Sequence, residues 1–367
     1  MSKLFTPVNL GGLALDNRIT VAPMCQYSAV EGSMTDWHLM HLGTLSISGA
    51  SMLVIEATGV TPEGRITLHD SGLYSDDNEQ AMARVARYVR SISPIRLGVQ
   101  LSHAGRKASA ERPWEGRGAL DKAQGAWPTE APSAIPLAQG WPTPHALTRP
   151  EMERIKRAFV DAALRAVRIR LDFIELHCTH GYLLSEFLSP LANRREDEYG
   201  GTLDNRMRYP LEVFDAVRAA LPSGTPVGAK ISGTDFAPGG WVAEDAVAFA
   251  RELKKRGCAY VTVSGGGVVL DAKVPVAPGY QVPYAQQVKR ETGVATGAVG
   301  LITEPQQAEE IVASGKADFV SLARGMLFNP RWGWHAALAL GAELAYPPQY
   351  ERCAPKMWPG AAQRAAR

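Results

Sequence analysis

What the chain has little of narrows its class first. Cysteine is scarce: Cys25, Cys178, Cys258 and Cys353 are the only four in 367 residues, and no two form a C-x-x-C pair. That excludes a disulfide scaffold, a zinc ribbon and an iron–sulfur cluster built on clustered thiols. An excess of one charge is missing too, since 39 basic and 37 acidic residues leave +2. With no concentrated Lys/Arg block, no nucleic-acid partner is expected. No apolar run is long enough to span a membrane, and the opening Met-Ser-Lys-Leu-Phe-Thr-Pro lacks the apolar core of a signal peptide. The expectation is a soluble, cytoplasmic protein with no membrane partner. A dinucleotide fingerprint is absent as well: Ser264-Gly265-Gly266-Gly267 has neither its spacing nor its context. Nor is there a Ser–His–Asp arrangement or a carboxylate cluster suited to magnesium.

What is present is an alternation of apolar runs and amphipathic stretches. The hydrophobic share, 46%, is enough for a sizeable core. Strands are expected at Asn17–Met24 (ending at Pro23), Ser51–Ala57, Ile95–Leu101, Phe173–Leu176, Pro226–Ile231, Ala259–Val263, Val294–Thr296 and Phe319–Leu322. Asp36 reads as the N-cap of a helix that turns Trp37, Met40, Leu42 and Leu45 to the core, and Asp77 opens the next helix. Glu151–Val167 places Ile155, Phe159, Ala163 and Val167 on one stripe. Further helices fit at about 206–220, 243–256, 281–290 and 304–314, with a last one from about 331.

Eight such units predict an α/β fold, a single-domain (β/α)8 TIM barrel over 1–367. Residues 104–148, rich in proline and carrying Trp114, Trp127 and Trp141, form a lid-like insertion after the third strand. Residues 346–367 form a C-terminal tail whose Pro347-Pro348 and aromatics suggest an extended segment docked on a surface, such as a neighbouring subunit; beyond Trp358 it is expected to fray.

In a parallel barrel, ligands bind at the carboxyl ends of the strands. Those ends hold Pro23-Met24-Cys25-Gln26-Tyr27, Glu56-Ala57, Gln100, the run from His177 to Tyr182, Lys230, Gly297–Gly300 and Ala323-Arg324. The last two groups follow strands seven and eight, where barrels commonly hold a phosphate. Gly300 permits close backbone approach, Arg324 brings a positive charge, and Thr303 is placed to cap the next helix. His177 and His180 suit either a zinc ion, for which no third ligand is evident nearby, or a single oxyanion. Cys25 is by default a small buried hydrophobe, while Gln100, if buried, needs partners for its amide.

These residues carry a resemblance. Ala22-Pro23-Met24-Cys25-Gln26-Tyr27, Gln100-Leu101-Ser102-His103-Ala104-Gly105-Arg106-Lys107, Glu175-Leu176-His177 with His180-Gly181-Tyr182-Leu183, and Asp197–Asn205 occur in the order and spacing of one family. The chain resembles the Old Yellow Enzyme family of FMN-dependent ene reductases, within it the xenobiotic-reductase and thermophilic-like subgroup. The resemblance implies a barrel that reduces activated alkenes, α,β-unsaturated carbonyl or nitro compounds, with hydride from FMN that NADPH or NADH has reduced. It implies that His177 and His180 hold the substrate oxygen and that Tyr182 donates a proton. It also implies that Cys25 lies beside the flavin and touches substrate, and that Tyr27 lines the substrate pocket. FMN would be held by Pro23, Met24, Cys25, Ala57, Gln100, His177, Lys230, Gly300, Ala323 and Arg324, with no metal.

Two of these positions depart from the family pattern: Lys230 stands where arginine is usual, and Ala323 where glycine is. Arg352 matches an arginine that reaches a neighbour's active site, which implies a homodimer or homotetramer. The larger iron–sulfur branch of the family needs clustered cysteines and a longer chain. A different class, a zinc- or Schiff-base aldolase or isomerase using Lys230 and the two histidines, stays open on the residues alone. So does a silent binding protein on the same fold.

Overall fold

Eight short parallel strands close on themselves in the computed structural model, which describes residues 1–358, 360 and 361. The strands are β1 (Val8–Leu10), β2 (Leu13–Leu15), β3 (Ile19–Val21), β4 (Met52–Gly59), β5 (Arg96–Ser102), β6 (Glu130–Ala131), β7 (His145–Ala146), β8 (Phe173–Cys178), β9 (Val227–Ser232), β10 (Val261–Ser264), β11 (Thr296–Ala298) and β12 (Phe319–Leu322). The helices are α1 (Asp36–Ser46), α2 (Asp76–Ile92), α3 (Arg149–Arg168), α4 (Leu183–Leu188), α5 (Leu203–Ala220), α6 (Ala243–Lys255), α7 (Val282–Thr292), α8 (Pro305–Ala313), α9 (Arg324–Phe328) and α10 (Trp332–Ala339). The barrel runs β3-β4-β5-β8-β9-β10-β11-β12 and back to β3, the (β/α)8 architecture the alternation predicts. No helix among the described residues is long and apolar enough to cross a membrane.

The barrel floor is set by three rings lying on three glycines. Phe173, Tyr260 and Phe319 are fully buried, and a Cβ built on Gly98, Gly228 or Gly297 would come within 2.3–2.4 Å of one of these rings. Gly98 pairs with Phe173 and Gly297 with Phe319 in register, so each ring crosses onto the neighbouring strand where only hydrogen fits. Leu10, Leu13 and Leu15 of the β1–β2 hairpin pack beneath them and close the amino end. That hairpin went unread in the sequence, because strands of three residues leave almost no periodic signal. Outside, α3, α5 and α6 each drive a fully buried phenylalanine, Phe159, Phe214 and Phe249, against the sheet. Each is worth roughly 1.5–3 kcal/mol of transfer free energy.

Several local expectations are corrected. Helix α1 is capped by Thr35, not Asp36, and the Thr35 N–H donates to His38 Nδ1 at 3.0 Å. Its core face is only partly as expected: Leu42 and Leu45 are buried, but Trp37 and Met40 are 48% and 50% exposed, and His38 and His41 face inward in their place. A buried carboxylate is the cause. Glu56 sits at a bulge in β4 and contacts His38 Nε2 at 3.0 Å, so a polar residue is required where the pattern alone calls for an apolar one.

Ser75, whose hydroxyl accepts from the Asn78 N–H, caps α2 ahead of Asp76 and Asp77. Glu304 rather than Thr303 caps α8, since Pro305 at the first helical position needs no acceptor. The seventh barrel strand lies at Thr296–Ala298, two residues later than expected, where register with β10 and β12 places it. The tail packs on its own chain: Trp334 of α10 meets Tyr346 at a tilt and Tyr350 edge to face, with Arg331 over Trp334 and Tyr350. The fraying expected after Trp358 falls mainly on 359 and 362–367, outside the described residues.

The short helix α4 brings a carboxyl into the interior. Glu186 is fully buried; its Oε1 accepts from the Arg106 N–H at 2.8 Å and Oε2 has no partner among the described residues. Burial pushes its pKa up to about 8, against the opposing pull of Arg106 and Lys107.

Two predictions follow from the packing. Gly98→Ala, which overfills the Phe173 contact, is expected to cost about 1–3 kcal/mol in urea denaturation; an unchanged midpoint would contradict the floor geometry. Because folded Glu186 keeps a proton that the unfolded chain releases near pH 4.5, its own contribution to stability falls as pH rises from about 4.5 to about 8. Glu186→Gln is expected to flatten that decline in a Tm-against-pH series, and an equally steep decline would show that the carboxyl is ionised.

Candidate active site

The site is built from residues that face inward at successive strand ends. Along β8, Phe173, Glu175 and His177 alternate inward above the floor, and His177 pairs in register with Lys230 on β9. Past the strand end the chain turns sharply, with His180 at φ 63° and Gly181 at φ 74°. That turn sets the His180 ring 5.2 Å from His177 and the Tyr182 ring 4.7 Å from His177, each edge to face.

Two contacts hold this turn. His180 Nε2 bonds Ser264 Oγ at 2.8 Å, from the end of β10. Lys107 Nζ donates to His180 O at 2.7 Å and Gly267 O at 2.9 Å, and lies 5.1 Å from the centre of the Tyr182 ring. Lys107 appears in the sequence motif, but no role was read for it or for Ser264.

Protonation follows from burial. His177 and His180 are held well below the usual histidine range by desolvation, reinforced by the nearby Lys230 and Lys107, so both are neutral near pH 7. His177 Nδ1 accepts from the Thr179 N–H at 3.4 Å, which leaves the proton on Nε2. Tyr182 is pushed well above 10 by desolvation and keeps its proton. The Cys25 thiol is likewise raised, by burial and by Asp70 and Glu56, so it stands there as a thiol and not a thiolate.

Two walls meet at the barrel mouth. On one side a cavity of about 260 Å³ opens between the ends of β11 and β12 and brings Pro23, His180, Lys230, Gly300, Ala323 and Arg324 together. Gly300, at φ 107°, allows the backbone to pass close to Gln281. Two cations and no carboxylate line this cavity, so its chemistry fits a phosphate-bearing ligand such as FMN. On the other side Cys25, Tyr27 and Tyr182, together with Trp127 and Trp141 of the insertion, pack against a small buried cluster of Ile66, Ala104, Ala108 and Ala110, and Trp114 meets Tyr27 edge-on at 5.9 Å.

Ala57 and Gln100 pair in register just below the mouth, both buried, and Met24 lies at the end of β3 among partly buried residues. The Cys25–Tyr27 loop is held from behind, where the Gln26 N–H donates to Glu56 and Tyr27 takes φ 49°. Arg352 alone stands apart, exposed in the turn Pro348–Cys353. No hydrogen bond or ion pair among the described residues joins it to its own chain's site. Neither is any group of three or more His, Cys, Asp or Glu among the described residues arranged to hold a metal ion, so the zinc alternative has no ligand set.

Comparison with known proteins shows the family. The pattern of the NADH:flavin oxidoreductase / NADH oxidase family matches residues 3–341. An NADPH dehydrogenase of Geobacillus thermodenitrificans (strain NG80-2) is 43% identical over 95% of this chain and 98% of its own. Morphinone reductase superposes with a TM-score of 0.77 at 26% identity, covering 95% of this chain and 92% of the other. A 2-naphthoyl-CoA reductase superposes at 0.83 over 93% of this chain, but at 20% identity that likeness shows the fold alone, and this chain spans only about half (52%) of it. The chain belongs to the NADH:flavin oxidoreductase / NADH oxidase family, as an FMN-dependent NAD(P)H oxidoreductase of the Old Yellow Enzyme type.

Proposed function

We propose that the protein reduces the C=C bond of α,β-unsaturated carbonyl or nitro compounds, with NADPH or NADH as reductant. Bound FMN supplies the hydride. The observation that carries the reading is the pair of neutral imidazoles, His177 and His180, fixed 5.2 Å apart at the mouth beside a protonated phenol. The proton on His177 Nε2 is available to a substrate oxygen. With the Ser264 hydroxyl donating to His180 Nε2, His180 Nδ1–H is available too. Two preorganised donors polarise the alkene through its carbonyl or nitro group and stabilise the negative charge that builds on oxygen.

Tyr182 then donates its proton to the α-carbon. The Lys107 ammonium over its ring stabilises the phenolate left behind and so offsets part of the burial that makes the phenol a weak acid. Lys230 and Gln100 face the flavin ring, Gly300, Ala323 and Arg324 its phosphate, and Pro23, Met24, Cys25 and Ala57 complete its surroundings. Tyr27 and the insertion's tryptophans bound the substrate side. Arg352, free of its own site, is offered to a partner's site in a dimer or a tetramer of dimers.

Separate half-reactions test these roles. In the His177→Ala/His180→Ala variant, enone-driven reoxidation is expected to fall by at least about 10²–10³-fold while NADPH still bleaches the flavin. Tyr182→Phe is expected to lower alkene turnover about 10²–10⁴-fold, again sparing flavin reduction. Equal losses in both half-reactions would contradict the oxyanion and proton-donor roles.

A further inference from the structure

One layer below His177, the barrel interior holds a carboxylate that the proposed chemistry does not use. Glu175 is 1% exposed. Its Oε1 accepts from Gln100 Nε2 at 2.8 Å, and its Oε2 from the Thr262 hydroxyl at 3.4 Å. Gln100 is its register partner on β5, and Thr262 is the register partner of Lys230 on β10. Of the two polar side chains that rise toward the mouth, Glu175 therefore touches Gln100 itself and, beside Lys230, its register partner Thr262. Lys230, 6% exposed, lies two residues above Gly228, which pairs with Glu175. Lys230 lines the 260 Å³ cavity, and no carboxylate lines it. No ion pair within 4.0 Å joins Lys230 to any group among the described residues, so Glu175 acts on it across the layer and not by contact.

An isolated buried ammonium is costly, and an isolated buried carboxylate equally so. Here the two share one column of the barrel. Burial lowers the pKa of Lys230 while Glu175 raises it, and burial raises the pKa of Glu175 while Lys230 lowers it. Gln100 is constrained in the same way. Its amide N–H is committed downward to Glu175, which turns its oxygen away from that carboxylate.

We propose that Glu175 is a positioning and charge-balancing residue of the flavin site: it fixes the Gln100 amide and offsets the Lys230 cation. This rests on the reading that the flavin ring lies above Gln100 and Lys230. Reduction adds negative charge to the ring, and a fully uncompensated Lys230 would stabilise that charge. Glu175 lessens the stabilisation and so keeps the reduced cofactor a stronger hydride donor toward the alkene.

Glu175→Gln removes the charge, nearly preserves the volume and keeps an acceptor for Gln100 and Thr262. With the FMN-loaded protein held at pH 7, an anaerobic potentiometric titration reads the effect. The reduced-to-oxidised ratio at a fixed ambient potential is expected to rise about tenfold, a midpoint ~30 mV more positive for a two-electron couple. Glu175→Asp, which keeps the charge, is expected to stay near the unsubstituted midpoint. A purely structural role predicts looser FMN and a lower Tm with no positive shift.

Should Glu175→Gln alone fail to fold, Lys230→Met is read instead: once the cation is gone the isolated Glu175 takes up a proton, so the reduced-to-oxidised ratio at a fixed potential is expected to stay within about tenfold of the unsubstituted value. An unchanged or more negative midpoint in Glu175→Gln, or a fall of more than about tenfold in that ratio in Lys230→Met, would overturn the proposal. An unsubstituted protein that takes up no FMN would overturn the site reading itself, which separates the two failures.

Discussion

A closed parallel barrel leaves only every second residue of a strand facing inward, and β8 uses three such positions for three tasks. Phe173 fills the floor by lying on Gly98, Glu175 sits in the middle as a buried charge, and His177 stands at the mouth. The neighbouring strands answer at each level. Gly98, Gly228 and Gly297 make room for rings, Gln100 and Thr262 satisfy the carboxylate, and Lys230 stands beside the imidazole. A one-residue slip of β8 would turn all three inward side chains outward at once. Floor packing, buried charge and active site are thus one registration problem.

At the mouth the protein has gathered hydrogen-bond donors and cations and has kept the titratable groups neutral. Two imidazoles without charge, a phenol and a thiol that retain their protons, and the ammonium groups of Lys107 and Lys230 give a surface that welcomes electron density. Such a surface suits a reaction in which negative charge arrives with a hydride and is quenched by a proton. It is poorly suited to general-base hydrolysis, which needs a group ready to accept a proton near pH 7. The carboxyl groups lie one layer back. Glu56 braces the Cys25–Tyr27 loop, Glu186 underpins Arg106, and Glu175 faces the floor of the cofactor site.

The barrel was legible because its strands are apolar runs between amphipathic helices, and the site because its motifs lie at the strand ends in order. What stayed hidden depends on pairing between distant segments. The bulge that frees Glu56 is visible only once β4 is set against β5, and with it goes the reason α1 turns His38 inward and Trp37 outward. Lys107 reads as one more surface lysine until the folded turn brings His180 O and Gly267 O to it. The β1–β2 hairpin, α4 and α9 are too short to carry a period. The contact of the tail's Tyr346 and Tyr350 with Trp334 of the same chain also joins segments that no periodic signal links.

The central claim is that one pocket passes electrons from a nicotinamide to an activated alkene through bound flavin. The most direct test is a visible absorption spectrum of the purified protein, followed anaerobically through addition of NADPH and then 2-cyclohexenone. Bleaching of the flavin band by NADPH and its return with the enone is the predicted result. A flavin that bleaches but stays reduced after a range of enones and nitroalkenes would contradict the substrate class, and a protein with no flavin band after FMN is supplied would contradict the account as a whole.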